Sequence, residues 1–152
     1  MNEKFALDMR EHFNKTTQYV EEVAMLTVLA VGKSLVMKSP VGNPSMWNGG
    51  AGRTPPPGYT GGTVRANWQH GMNVTPSGIK STPDAGGTQT IAELEARIRA
   101  AGGRGIHYLA NNLPYANRLE YGHSRQAPQG MVRLTIQEFE QYFADAKAKA
   151  KK

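Results

Sequence analysis

The chain has 152 residues, of which 39% are hydrophobic and 20% charged, with no cysteine and a formal net charge of +6 at pH 7. That length is typical of one domain, so we expect a single domain over residues 1–152. The absence of cysteine excludes a disulfide scaffold, a cysteine zinc site and a thiol nucleophile. The first residues, Met-Asn-Glu-Lys, are not followed at once by the apolar run of a secretory signal.

The first forty residues predict one long helix from Glu3 to about Met37. Between residues 23 and 31 this helix is apolar on all sides, which predicts burial on several sides, part of it by other subunits. Nine apolar residues fall short of the roughly 18–20 that a membrane span needs. The residues that recur every three or four positions on one face are Phe5, Met9, Phe13, Thr16, Val20, Val23, Thr27, Ala30 and Ser34.

Glycine and proline are concentrated in the middle of the chain, with 11 glycines and 7 prolines between Pro40 and Thr90. Such clusters without hydrophobic periodicity predict long irregular loops. We therefore expect a loop insertion at 43–58 and a second irregular stretch at 75–88.

The rest of the chain predicts short elements that complete an α+β fold, with a long N-terminal helix and a C-terminal helix packed on a small antiparallel sheet. The basic end, residues 147–152, is expected to fray. The predicted elements are a helical turn at 63–67, a strand at 68–74, a helix at 91–101 capped by Thr90 and ended by Gly102, a strand at 106–111, a helix capped by Asn112 with Pro114 in its first turn, and a closing helix with Val132, Ile136, Phe139, Phe143 and Ala146 at helical spacing.

No residue pattern indicates catalysis, a cofactor or a metal. The four histidines share no ligand spacing, although His70 and His107 lie on the two predicted strands, where ordinary sheet histidines are the favoured interpretation. Glu120 is the carboxylate of most interest, and we expect it to pair with Arg118, Arg125 or a neighbouring subunit. A small hydrolase that uses Glu120 and a histidine is a weaker alternative, so no enzyme is expected.

The positive charge leaves a second alternative open, a small basic protein that binds DNA without sequence preference. No zinc-finger or recognition-helix pattern accompanies the arginines, so solvated surface charge is the favoured interpretation. The arginines concerned are Arg97, Arg99, Arg104, Arg118, Arg125 and Arg133.

Two passages of the sequence resemble the tail-completion or head–tail joining proteins of long-tailed bacteriophages. The first opens as Ser-Pro-Val-Gly at 39–42 and resumes as Tyr-Thr-Gly-Gly-Thr-Val-Arg-Ala-Asn-Trp at 59–68. The second reads Asn-Asn-Leu-Pro-Tyr-Ala-Asn-Arg-Leu-Glu-Tyr-Gly at 111–122. The matching residues are Ser39, Pro40, Val41, Gly61, Arg65, Asn67, Trp68, Pro114, Tyr115, Ala116, Leu119, Glu120, Tyr121 and Gly122.

The resemblance implies a virion protein without catalytic residues, cofactor or metal, assembled in the host cytoplasm and located in the phage neck. It would form a ring of copies, expected as a hexamer, between the tail tube protein and the head–tail connector or adaptor, with genomic DNA passing through the lumen and no membrane involved. The insertion at 43–58 splits the first passage, and the aspartate usual in that passage is missing, so any partner contact made there differs.

We expect Trp68, Tyr115, Leu119 and Tyr121 to lie in or near the core. For the interfaces with partners we expect the 42–60 loop and three charged residues. The interface candidates are Trp47, Tyr59, Arg118, Glu120 and Arg125.

Overall fold

The structure, a computed structural model, describes residues 2–43 and 57–150. It confirms the α+β fold, in which a long N-terminal helix and C-terminal helices accompany a two-stranded antiparallel sheet. The elements in chain order are α1 (Glu3–Lys38), α2 (Thr63–Ala66), β1 (Trp68–Met72), α3 (Thr88–Ala101), β2 (His107–Asn111), α4 (Ala116–Glu120), α5 (Val132–Gln137) and α6 (Phe139–Lys149).

Helix α1 has the bounds that its sequence predicts to within one residue. The side chain of Asn2 caps its first turn by accepting a hydrogen bond from the Lys4 amide at 3.1 Å. At the other end Ser39 is extended, as expected for a residue that precedes a proline. Its second half is buried, as the all-round apolar segment predicts.

In the described part of the chain the sheet is an antiparallel pair of strands, in which Trp68 lies opposite Asn111 and Met72 opposite His107. The main core forms where the second half of α1 meets the sheet, α3 and the residues that precede α5. Full burial of each large apolar side chain there stabilises the fold by roughly 1.5–3 kcal/mol. The most completely buried apolar members of this core are Val36, Ile98 and Met131.

A smaller cluster holds α6 antiparallel against α1. Ala146 and Ala150 of the C-terminal segment pack on Val23, and the Tyr19 hydroxyl donates to the Lys147 carbonyl at 3.3 Å. Residues 147–149 are therefore helical instead of frayed, because their segment docks on α1.

The start of α3 differs from its prediction. The helix begins at Thr88 after Gly87, whose φ of 76° suits glycine, so Thr90 is not its cap. The Asp84 carboxylate satisfies the free amides instead, accepting from Gly87 N at 2.9 Å and from Thr90 N at 2.8 Å. A capping carboxylate on the preceding loop replaces the predicted hydroxyl cap.

The start of α4 also differs. Asn112 does not cap it, since its side-chain amide donates to the carbonyls of Pro76 and Gly78, both at 3.1 Å. The helix begins at Ala116, so Pro114 lies before its first turn. Asn112 thus ties the second irregular stretch to the end of β2.

The closing helix is divided into α5 and α6 at Glu138, and most of its apolar stripe faces away from α1. Ile136, Phe139 and Phe143 are exposed, and only Ala146 of the stripe is buried. The side that faces α1 instead carries Thr135 and Tyr142, which bond Ser34 at 2.9 Å each; the fifth predicted member, Val132, is exposed as well. Periodicity locates a stripe but does not say which surface covers it.

Candidate interaction surface

Residues of the first passage form a buried hydrogen-bonded junction where α1 ends. The Ser39 hydroxyl accepts a hydrogen bond from Trp68 Nε1 at 2.7 Å and lies 2.8 Å from the Leu35 carbonyl, to which it donates. Ser39 and Trp68 are 1% and 5% exposed. This confirms Trp68 as a core residue and gives Ser39 a structural role, since an unpaired buried indole N–H would cost roughly 1–3 kcal/mol.

Arg65 binds three backbone carbonyls around the same junction. Its Nε donates to the Ser39 carbonyl at 3.0 Å, and its two terminal nitrogens donate to Ala85 at 2.8 Å and to Met37 at 3.1 Å. The carbonyls at the end of a helix carry the negative end of its dipole, which favours a cation there. Arg65 therefore joins α2 to the end of α1.

Asn67 is fully buried and fastens the second irregular stretch to α2. Its side chain accepts from Lys80 N at 2.7 Å and donates to the carbonyls of Lys80 at 3.0 Å and Thr63 at 2.8 Å. Three hydrogen bonds satisfy most of the capacity of its amide. The polar residues of the first passage thus stabilise the fold through hydrogen bonds within the chain. A surface for partners must therefore be formed by other residues.

A groove of about 520 Å³ separates the first passage from the second. Tyr59 and Tyr115 lie in it, and burial, with a smaller effect of Tyr59, raises the pKa of Tyr115 above its ordinary value. Arg125 is exposed at the groove. The described lining residues are Pro40, Val41, Gly42, Asn43, Tyr59, Gly62, Thr63, Val64, Tyr115, Leu119, His123, Ser124, Arg125 and Gln126.

Glu120 does not form the predicted ion pair with Arg118 or Arg125. Its carboxylate accepts from the amides of Met131 at 2.7 Å, Val132 at 2.8 Å and Arg133 at 3.0 Å, at the start of α5. Although burial raises the pKa of Glu120, these amides and the Arg133 side chain lower it below its ordinary value. Glu120 is therefore a helix cap supplied from more than ten residues upstream.

Gly130 makes this cap possible. It has a φ of 84°, and a Cβ there would overlap the Glu120 carboxylate. No local sequence pattern shows this role, because the cap and its helix are separated by a loop. The Pro-Gln-Gly sequence at 128–130, directly before Met131, indicates a turn there but not which side chain caps the helix.

The other predicted residues divide between core and surface. Leu119 packs partly buried against the core, as expected, whereas Tyr115 is exposed and Tyr121 is 68% exposed, with the Arg133 guanidinium 5.4 Å from its ring centre. The prediction that both tyrosines lie in or near the core is therefore wrong. They flank α4, a short helix at the surface that has no buried residue, so neither ring reaches the core.

The predicted interface residues are only partly brought together. Tyr59 and Arg125 share the groove, and Arg118 is exposed on α4. Glu120 is turned to the fold's own backbone, and Trp47 lies outside the described residues. The groove is thus the part of the predicted interface that the described chain assembles.

His70 and His107 contact each other directly from diagonal positions on the sheet. His70 Nε2 lies 2.9 Å from His107 Nδ1, and His107 Nε2 is buried without a hydrogen-bond partner. Burial, then the charges of His107 and Arg97, lowers the pKa of His70 below its ordinary value. Among residues 2–43 and 57–150 no group of three or more potential ligands would hold a metal ion, and two imidazoles alone do not make a zinc site.

The largest feature that sequence reasoning missed is the exposed N-terminal half of α1, residues 3–20, called here the arm. Helix α6 ends beside Tyr19, so residues 3–18, about 24 Å of helix, extend beyond the fold. Only Ala6 and Tyr19 of the arm are not exposed. The large apolar residues exposed on it are Phe5, Leu7, Met9, Phe13 and Val20.

Within the described residues, no helix has the length and apolar character required to pass through a lipid bilayer. Comparison of the chain with protein-family models, curated proteins and solved structures finds no match.

Proposed function

We propose that the chain is a structural virion protein that completes the phage tail and joins the tail tube to the head connector, as a ring of copies expected to be a hexamer. The observation that carries the proposal is the arm. Monomeric soluble proteins rarely expose large contiguous apolar surfaces, and five large apolar residues of the arm are exposed in the described chain. Such a surface favours a subunit completed by its neighbours.

The two passages that carry the resemblance add support because they meet in space. Residues 40–42, 59 and 62–64 of the first passage and Tyr115 and Leu119 of the second line the groove together, although more than forty residues separate the two passages. A groove with aromatic residues and a basic rim suits docking of another protein segment. The tail tube protein and the connector are the partners that the resemblance implies.

The arrangement of charges favours this proposal over sequence-independent binding of DNA. Of the six arginines considered, Arg99 pairs with Glu95, Arg104 with Glu21, and Arg133 with Glu120. Paired arginines have less net attraction for phosphates. The Glu120 carboxylate is likewise held by backbone amides, which gives the hydrolase alternative no free catalytic acid at this position.

The test is immunogold electron microscopy of phage particles from the lysate that contains the chain. We expect gold at the head–tail joint, and a matched antibody against the major capsid protein should label heads only. Particles without gold at the joint would contradict the proposal. Duplex binding by the purified chain that weakens steeply with added salt would then favour the DNA-binding alternative.

A further inference from the structure

We propose that the arm of one copy packs on the outer face of α5 and α6 of the next copy in the ring. This inference rests on the proposed function, since it names the contact that closes the ring. The outer face, called here the outer patch, consists of Ile136, Phe139 and Phe143. The two surfaces lie on different parts of the same chain, so one copy offers the arm and its neighbour offers the patch.

The first argument is continuity of a single helical stripe along α1. Val23, Thr27 and Ser34 of this stripe are buried, with α5 and α6 packed over its ends. Phe13 and Val20, seven residues apart on the same stripe as Thr27 and Ser34, are exposed. An antiparallel helix, α6, covers the stripe as far as Tyr19, and beyond that point no described residue of the chain buries it.

The second argument is that, within residues 2–43 and 57–150, the outer patch is an exposed apolar surface on a helix, as the arm is. Ile136 is 66% exposed and Phe143 is 42% exposed. The Lys147 ammonium lies 4.8 Å from the ring centre of Phe143 and marks the solvent side of α6. Packing aromatic residues of the arm on aromatic residues of the patch would remove both from water.

The third argument comes from charge. Copies with a net charge of +6 repel one another. This repulsion is weakest where the surfaces that meet carry no net positive charge. Residues 3–20 hold three acidic and three basic side chains, and residues 132–149 hold three of each as well. The net charge of +6 therefore comes entirely from residues outside 3–20 and 132–149.

The fourth argument is closure. A ring needs a heterologous contact, in which one surface of each subunit fits a different surface of the next. A contact between two arms would be isologous and would stop at a dimer. Arm and patch are distinct surfaces, so their contact repeats from copy to copy.

The absence of native cysteine allows a direct test by cross-linking of the full chain. Phe13→Cys and Phe143→Cys variants, carrying tags of different size, are mixed and treated with a short bismaleimide. We expect the mixed cross-linked dimer to dominate, and each variant alone to give little product. The exposed Ala92→Cys on α3, mixed with Phe13→Cys, is the matched control and should give little product.

Two outcomes overturn the inference. One is dominance of the Phe13→Cys product with itself, which would mean that arms pair with arms. The other is no mixed product at any protein concentration, from variants whose unfolding midpoints equal that of the parent. Either result is independent of the gold label at the head–tail joint, so failure of this contact and failure of the proposed function are distinguishable.

Discussion

The two halves of α1 have similar sequence periodicity and opposite surroundings. Residues 21–38 are buried or half-buried except Lys33 and Met37, whereas residues 3–20 are exposed except Ala6 and Tyr19. The helix is continuous through both halves. The difference therefore comes from what packs on the helix, since α3, α5 and α6 all lie against its second half.

This contrast shows where the stability of the free chain resides. Isolated helices are marginal in water, and most helical stability in proteins comes from packing of an apolar face. The second half of α1 has that packing within its own chain. Within the described residues the arm does not have this packing, and the proposed assembly would supply it.

The largest predicted effect comes from the same substitution made in each half. Leu35→Ala removes a side chain that is 5% exposed and should lower the free energy of unfolding by roughly 2–5 kcal/mol. Leu7→Ala, at a side chain 63% exposed, should change it by less than about 0.5 kcal/mol. Urea denaturation of the dilute chain measures both. Equal losses would contradict the contrast between the halves.

A second prediction concerns the turn after α3, in which Gly103 lies against Glu21 at the start of the buried half of α1. A Cβ at Gly103 would overlap the backbone carbonyl of Glu21, so Gly103→Ala must push the turn away from α1. We expect a loss of roughly 1–3 kcal/mol in the same assay. Gly86→Ala is the control, because a Cβ there meets only the Thr88 hydroxyl at an ordinary distance; a similar loss there would remove the explanation by overlap.

A third prediction tests the cap of α5. Glu120→Gln removes the charge that accepts three amides, and it should cost about 1 kcal/mol at neutral pH. The pKa of Glu120 is lowered in the folded chain, so its contribution is present above its ordinary value of 4.5 and is lost as the pH falls through the folded value. Glu140→Gln, the same substitution at a carboxylate that caps no helix start in this way, is the control and should keep the acid sensitivity of the parent in the same urea assay. A Glu120→Gln variant as acid-sensitive as the parent would argue against the cap.

The smallest predicted effect is a pH dependence in a higher window. The pKa of His70 is lowered from 6.5 by burial and by the charges of His107 and Arg97, so the unfolded chain binds this proton more readily. Stability should be complete above 6.5 and decline as the pH falls from there towards the lowered value. Unfolding midpoints of the parent and His70→Gln measure it, and parallel pH profiles would show that the histidine pair plays no part.

The elements with strong local signals could be predicted from the sequence. The start and end of α1 follow from Asn2 and from Ser39 before Pro40, and the two strands follow from alternation that includes Trp68 and Tyr108. Each of these signals lies within a few residues of the structure that it determines. That is why their bounds agree closely with the structure.

The misassigned features depend on contacts between distant parts of the chain. Glu120 caps a helix that starts twelve residues later, and Ile136 lies on the side of α5 that α1 does not cover. A hydrophobic stripe records that a surface needs cover, whether from its own chain or from another. The sequence predicts the groove only in part. Tyr59 and Arg125, two predicted interface residues, line it, whereas Glu120, a third, binds the amides at the start of α5.

The most direct test of the account is hydrogen–deuterium exchange along α1, in the free chain at low concentration and in the chain incorporated into phage tails. The account predicts that residues 3–20 exchange quickly in the free chain while residues 21–38 are protected, and that both segments are protected in the assembled particle. Residues 3–20 that still exchange as quickly in the particle as in the free chain would contradict the claim that neighbours cover the arm.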